Sequence, residues 1–119
     1  MQLNHLDLPV PDVRSTATFF ERFFGLRLVE MKGRDALAIL KDEAGFTLVL
    51  SPVRPGGHAL PEPFHVGFHL DTEDEVRAMH ARITEGGVER VSPLDHRRGA
   101  LLFYCYAPGP VLVEVAHRA

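Results

Sequence analysis

Three side chains far apart in the chain have the chemistry to share one divalent metal ion: His5, His65 and Glu114. Two neutral imidazole nitrogens and one charged carboxylate oxygen make a facial triad, which leaves coordination positions open for water or a chelating substrate. Strand parity sets these residues apart from ordinary polar ones. Leu6, Leu8 and Val10 take one face of a half-buried strand, and His5 and Asp7 take the other. Phe64, Val66, Phe68 and Leu70 alternate in the same way with His65, Gly67 and His69. Near the end of the chain Val111, Val113 and Val115 pack inward, so Glu114 points the other way. Leu48 and Leu50 leave Val49 in the corresponding place. His69 shares a face with His65 and is a candidate proton shuttle, or a hydrogen-bonded wall residue. Asp7 shares the face of His5 and suits either a ligand-orienting carboxylate or a solvated edge residue.

The elements that must position these groups read as a repeat. Pro9 and Pro11 end the first strand, and Asp12 can cap a helix carrying Val13, Ala17, Phe20 and Phe24 at helical spacing up to Gly25. Strands follow near 26–32, 35–41 and 45–51. Residues 52–63 hold four prolines and two glycines without apolar periodicity and read as a linker. The pattern then restarts: a strand over 64–70, a Thr72/Glu75 capping box, and a helix with Val76, Met79 and Ile83 on one face ending at Gly86–Gly87. Strands near 88–93, 99–106 and 110–117 complete it. His5 falls on His65, Gly25 on Gly87, and Thr47-Leu48-Val49-Leu50 on Leu112-Val113-Glu114-Val115. Each half is βαβββ. A unit of that size cannot cover both faces of its own sheet, so the two pair, within the chain or across a dimer. The expected organisation is one domain over 1–119, with module one at about 1–52, a linker at about 53–63 and module two at about 64–119. If the modules pair about a pseudo-twofold axis, His5, His65, Glu114 and Val49 converge on one concave surface.

Composition narrows the function classes. The 119 residues are 45% apolar, enough for one core without disulfide or zinc staples. Thirteen basic and sixteen acidic side chains give a net charge of −3, with Arg97–Arg98 the only adjacent basic pair, so no nucleic-acid partner is expected. No apolar run approaches a membrane span, and the N-terminus lacks a signal-peptide apolar region. The lone Cys105, with no argued base among apolar neighbours, reads as packing in a reducing compartment, and a cytoplasmic location is expected. Arg97 and Arg98 lead into a strand and read as a solvated loop or as a receiver for a substrate carboxylate. His80 and His117 carry no assigned role, and His58 and His96 fall in loops.

The paired βαβββ units, the opening NHLDLPVPDVRSTATFFERFFGLRL, the strand FHVGFHL and the terminal VLVEV resemble the vicinal-oxygen-chelate superfamily, the glyoxalase I, bleomycin-resistance and extradiol-dioxygenase group. The helix ending FFERFFGLRL is similar to the family's FYxxxLGxxL stretch. The resemblance spans nearly the whole chain and implies an α+β half-barrel of two paired modules around a cavity. It places the family's metal ligands on His5, Val49, His65 and Glu114. Val49 departs from the pattern, because glyoxalase I and the methylmalonyl-CoA epimerases carry Glu or Gln there. The remaining three ligands are similar to those of extradiol dioxygenases and fosfomycin-resistance thiol transferases. The latter typically carry Thr two residues after the first His, where this chain has Asp7, and the family's DPDG turn is replaced by Ala107-Pro108-Gly109-Pro110. Tyr104 falls where relatives often place a pocket aromatic, which makes its phenol a candidate donor, or a core residue. The resemblance therefore implies a homodimer that acts on a small oxygen-bearing substrate chelated to iron, manganese, zinc or nickel, as a lyase, dioxygenase or thiol transferase. The alternative is a metal-free protein that sequesters a small molecule, as bleomycin-resistance proteins do.

Overall fold

In a computed structural model, which describes residues 1–54, 57 and 60–119, the chain is α+β, with two helices and two four-stranded sheets. It divides into two compact units, Met1–Ala59 and Leu60–Ala119. Part of the expected linker, with His58, lies outside the described residues.

The first unit runs β1 (His5–Val10), α1 (Val13–Phe24), β2 (Arg27–Lys32), β3 (Leu37–Lys41) and β4 (Thr47–Pro52), with strand order β1-β4-β3-β2. Helix α1 starts where Asp12 accepts a hydrogen bond from the Ser15 amide at 3.0 Å, and it stops at Gly25, whose φ of 66° is a left-handed conformation that favours glycine. Its buried face carries Val13, Thr16, Ala17, Phe19, Phe20 and Phe23. Phe23 is thus buried more fully than Phe24, a shift of one position around the helix. Leu8, Val10, Ala38, Leu40 and Leu50 are fully buried on one face of the sheet, and Leu48 is nearly so. Alternation puts His5, Asp7 and Val49 on the other face. At the β2–β3 turn, Asp35 takes two hydrogen bonds from Arg14, of 2.9 and 2.6 Å, which tie the start of α1 to the hairpin. The guanidinium holds the Asp35 carboxyl below its usual range.

The second unit repeats this order: β5 (His65–His69), α2 (Glu73–Glu85), β6 (Asp95–Arg97), β7 (Ala100–Ala107) and β8 (Val111–Arg118), arranged β5-β8-β7-β6. Thr72 caps α2 as expected: its Oγ1 accepts from the Glu75 amide at 3.1 Å, and its hydroxyl also donates to Glu75 Oε1 at 3.1 Å. The strand expected near 88–93 does not form. Pro93 has no N–H to give a ladder, and Ser92 instead meets Tyr104 through its amide and its hydroxyl, at 2.8 and 2.7 Å. Pairing starts after that proline, so His96 and Arg97 lie in β6 rather than in a loop, and Arg97 is held by Asp95 at 2.7 Å. Arg98 and Gly99, with φ of 50° and 76°, make the tight turn into β7.

The core of this unit explains two residues to which the sequence attaches no chemistry. The ring of His80 on α2 stands edge-on to Phe103, 4.9 Å between centroids, while its Nε2 donates to the Ser92 carbonyl at 2.9 Å. His117 donates from Nδ1 to the Leu70 carbonyl at 2.9 Å. Cys105 is fully buried, and burial pushes its thiol from the ordinary 9.0 up to about 11. A thiol that stays protonated is a poor nucleophile. Ellman's reagent at pH 8 is expected to leave Cys105 unmodified in the folded protein and to titrate one thiol after unfolding; fast labelling of the native state would contradict this packing role. Because the folded value lies above the unfolded one, the thiol leaves stability unaffected below pH 9 and lowers it progressively as pH rises toward about 11.

Candidate functional site

The His80–Phe103 contact fixes which face of the second sheet α2 covers. Phe103 pairs with Val115 in the β7–β8 register, and the next pair, Tyr104 with Glu114, projects from the opposite face. In the parallel β5–β8 register His65 lies opposite Leu112, Gly67 opposite Glu114 and His69 opposite Ala116. The second unit thus gathers His65, Tyr104 and Glu114 on the face away from its helix, with His69 farther along β5.

Glu114 is the chemically unusual member. It is only 9% exposed, and a carboxylate shielded from water is costly unless partners hold its charge. Tyr104 Oη donates to Glu114 Oε1 at 2.8 Å. That hydrogen bond first, then burial, then the Glu114 charge raises the Tyr104 phenol above its ordinary 10.0, while Arg97 and Arg98 pull weakly the other way. The phenol therefore remains a donor at neutral pH, and its proton is committed to Glu114. The imidazole of His65 is oriented too. Its Nδ1 lies 2.9 Å from the Pro63 carbonyl, which can only accept, so Nδ1 carries a proton and Nε2 is the nitrogen left for a ligand. The ring stands edge-on to Tyr104, 6.2 Å between centroids. A backbone carbonyl behind an imidazole and a phenol behind a carboxylate are the supports that metal ligands characteristically have. An imidazole nitrogen and a carboxylate oxygen are donor types that suit a divalent ion. His69 is exposed on the same face.

In the first unit His5 lies opposite Thr47 and Asp7 opposite Val49. His5 and His65 thus hold equivalent places, the first residues of β1 and β5. Val49 and Glu114 are equivalent as well, each facing the residue two positions beyond its histidine. Asp7 accepts a hydrogen bond from Ser51 Oγ at 2.6 Å, which engages its carboxylate across the β1–β4 pair. Among the described residues, no group of three or more His, Cys, Asp or Glu side chains is arranged to hold an ion. The second unit offers two donors, not a complete set. Ser51 and the Pro63 carbonyl carry no motif, and only register or local backbone geometry exposes them.

With this geometry in place, the chain can be set beside known proteins. A family model, the Glyoxalase/Bleomycin resistance protein/Dioxygenase superfamily, matches residues 2–115. The chain belongs to that superfamily. A possible glyoxalase from Bacillus cereus is similar at 36% identity and a TM-score of 0.86, over 97% of both chains. Two more distant structures share the fold. Lactoylglutathione lyase from Agrobacterium tumefaciens has 20% identity and a TM-score of 0.79, over 98% of this chain and 92% of that one. The fosfomycin resistance protein FosX from Listeria monocytogenes has 24% identity and a TM-score of 0.78, over 100% and 94%. No curated protein matches the sequence significantly. Among the described residues no helix is long and apolar enough to cross a membrane.

Proposed function

We propose that the protein is a divalent-metal-dependent member of its superfamily, in which His5, His65 and Glu114 are the ligands and a small oxygen-bearing substrate chelates the ion. The observation that carries this reading is the preparation of the two donors in the second unit: His65 presents Nε2 because Nδ1 is bound to a carbonyl, and Glu114 is shielded with one oxygen held by Tyr104. The third donor follows from the repeat, because His5 occupies in β1 the place that His65 occupies in β5. Members of the superfamily generally use divalent metals and bind small molecules, which agrees with this donor set.

A bound ion would supply Lewis acidity toward two substrate oxygens. The protein's part is to hold and direct. Glu114 contributes the negative charge that two neutral imidazoles lack, and Tyr104 keeps that carboxylate in one orientation. His69, exposed on the same face, is placed to move a proton at the substrate. Val49 can neither bind a metal nor carry a proton. The carboxylate chemistry available to lactoylglutathione lyases at that strand position is therefore absent here, which disfavours hemithioacetal isomerisation by that route. The negative charge of Asp7 disfavours a phosphonate substrate.

The direct test is calorimetric titration of metal-free protein with manganese, iron(II), zinc and nickel. Binding of at least one ion to one site per chain is expected. Tight binding of none would replace this reading with metal-free sequestration of a small molecule. We further propose that the 119 residues act as one domain and that the protein is a homodimer, as relatives often are. Light scattering at micromolar concentration should then give twice the 13.3 kDa of one chain; the monomer mass would refute it.

A further inference from the structure

We infer that the missing side chain of Gly67 keeps Oε2 of Glu114 open to a hydrated or substrate-bound divalent cation; this rests on the metal reading above. Glycine at the centre of β5 has no backbone reason to be there. Gly67 is not among the positive-φ residues, so any amino acid could adopt its conformation, and glycine within a strand sacrifices both rigidity and packing. Crowding by a neighbouring chain does not require it either. A Cβ built at Gly67 would lie 3.6 Å from Glu114 Oε2, 3.8 Å from the Glu114 carbonyl oxygen and 4.0 Å from the Glu114 Cβ, all ordinary contact distances. A methyl group is therefore tolerated, and its three nearest neighbours all belong to Glu114. The position is exposed, so a larger side chain would stand in the space from which Oε2 is approached.

The first unit provides an internal comparison. Its register equivalent of Gly67 is Asp7, which has a full side chain, and the residue opposite Asp7 is Val49, which has no charge to present. Where the partner is a carboxylate, the strand carries glycine. The two oxygens of Glu114 are thus treated differently. Tyr104 holds Oε1, and the absence of a side chain at 67 leaves Oε2 as the oxygen that meets the ligand.

The test is calorimetric titration of metal-free wild type, Gly67→Ala, Gly67→Val and Gly67→Thr with manganese and zinc, alongside thermal melting. Ala is expected to bind about as tightly as wild type. Val and Thr are expected to bind at least about tenfold more weakly, as when a residue supporting a metal site is lost, while melting at or above the wild-type temperature because β-branched residues suit a strand. Val and Thr variants that stay folded and match wild-type affinity would overturn the inference. So would loss of fold in both, because the backbone is held to accept a side chain there. Failure of wild type itself to bind either ion is a separate result, which removes the metal reading and this inference with it.

Discussion

Replacing His65 by Ala, His5 by Ala or Glu114 by Gln should abolish measurable binding of manganese or zinc, a loss well beyond the roughly 10–100-fold that removal of a supporting residue costs. Each variant withdraws one of the three proposed donors. Glu114→Gln also removes the charge that two neutral imidazoles leave unsupplied. His69→Ala is the control. His69 lies two residues beyond His65 on the same strand, about 6.6 Å of rise away, so its loss should leave metal affinity nearly intact. Titration calorimetry on the four variants checks this, with melting curves to confirm folding. Equal damage from His69→Ala and His65→Ala would mean that the ligand set is wrongly assigned. If His5→Ala binds as wild type does, the third donor comes from elsewhere and the equivalence of β1 with β5 carries no chemical meaning.

Tyr104→Phe should weaken metal affinity by about 10–100-fold without touching a ligand. The phenol donates to Glu114 Oε1 at 2.8 Å, and Glu114 is nearly buried. Removing the hydroxyl leaves a shielded carboxylate short of its donor, so the metal-free protein should also lose about 1–3 kcal/mol of stability. The two readouts together separate this role from simple packing: a packing change alone would lower the melting temperature and spare affinity. The pH dependence of the wild type gives an independent check. The Tyr104 phenol ionises above its ordinary 10.0, so its contribution to stability is fully present below pH 10 and is lost only as pH rises through the higher folded value. A phenolate absorbance that develops for both tyrosines at or below pH 10 would contradict the hydrogen bond.

Much of this was determined locally by the sequence. Alternation is a property of consecutive residues, so the face of each strand that carries His5, His65, His69 and Glu114 follows from which neighbours are apolar. Helix ends are local too: Asp12, Gly25 and the Thr72/Glu75 pair act within a few residues of themselves, and both helices start where those caps stand. Two similar halves predict two similar sheets, and the strand orders β1-β4-β3-β2 and β5-β8-β7-β6 are the same arrangement twice. What the tertiary structure decided depends on which distant residues become neighbours. The β7–β8 register places Tyr104 beside Glu114, so a phenol that resemblance marks only as a candidate donor has a carboxylate as its partner. The β5–β8 register places Gly67 there as well, turning a residue without a functional group into the one that leaves the carboxylate approachable. Residues 88–93 show the limit of local pattern. A strand is expected there, but Ser92 alone meets β7 through its amide and hydroxyl, Pro93 has no N–H to extend a ladder, and β6 begins only at Asp95. Patterns along a chain record which side chains share a face; register between strands, set by the packing of the whole sheet, determines which of them meet.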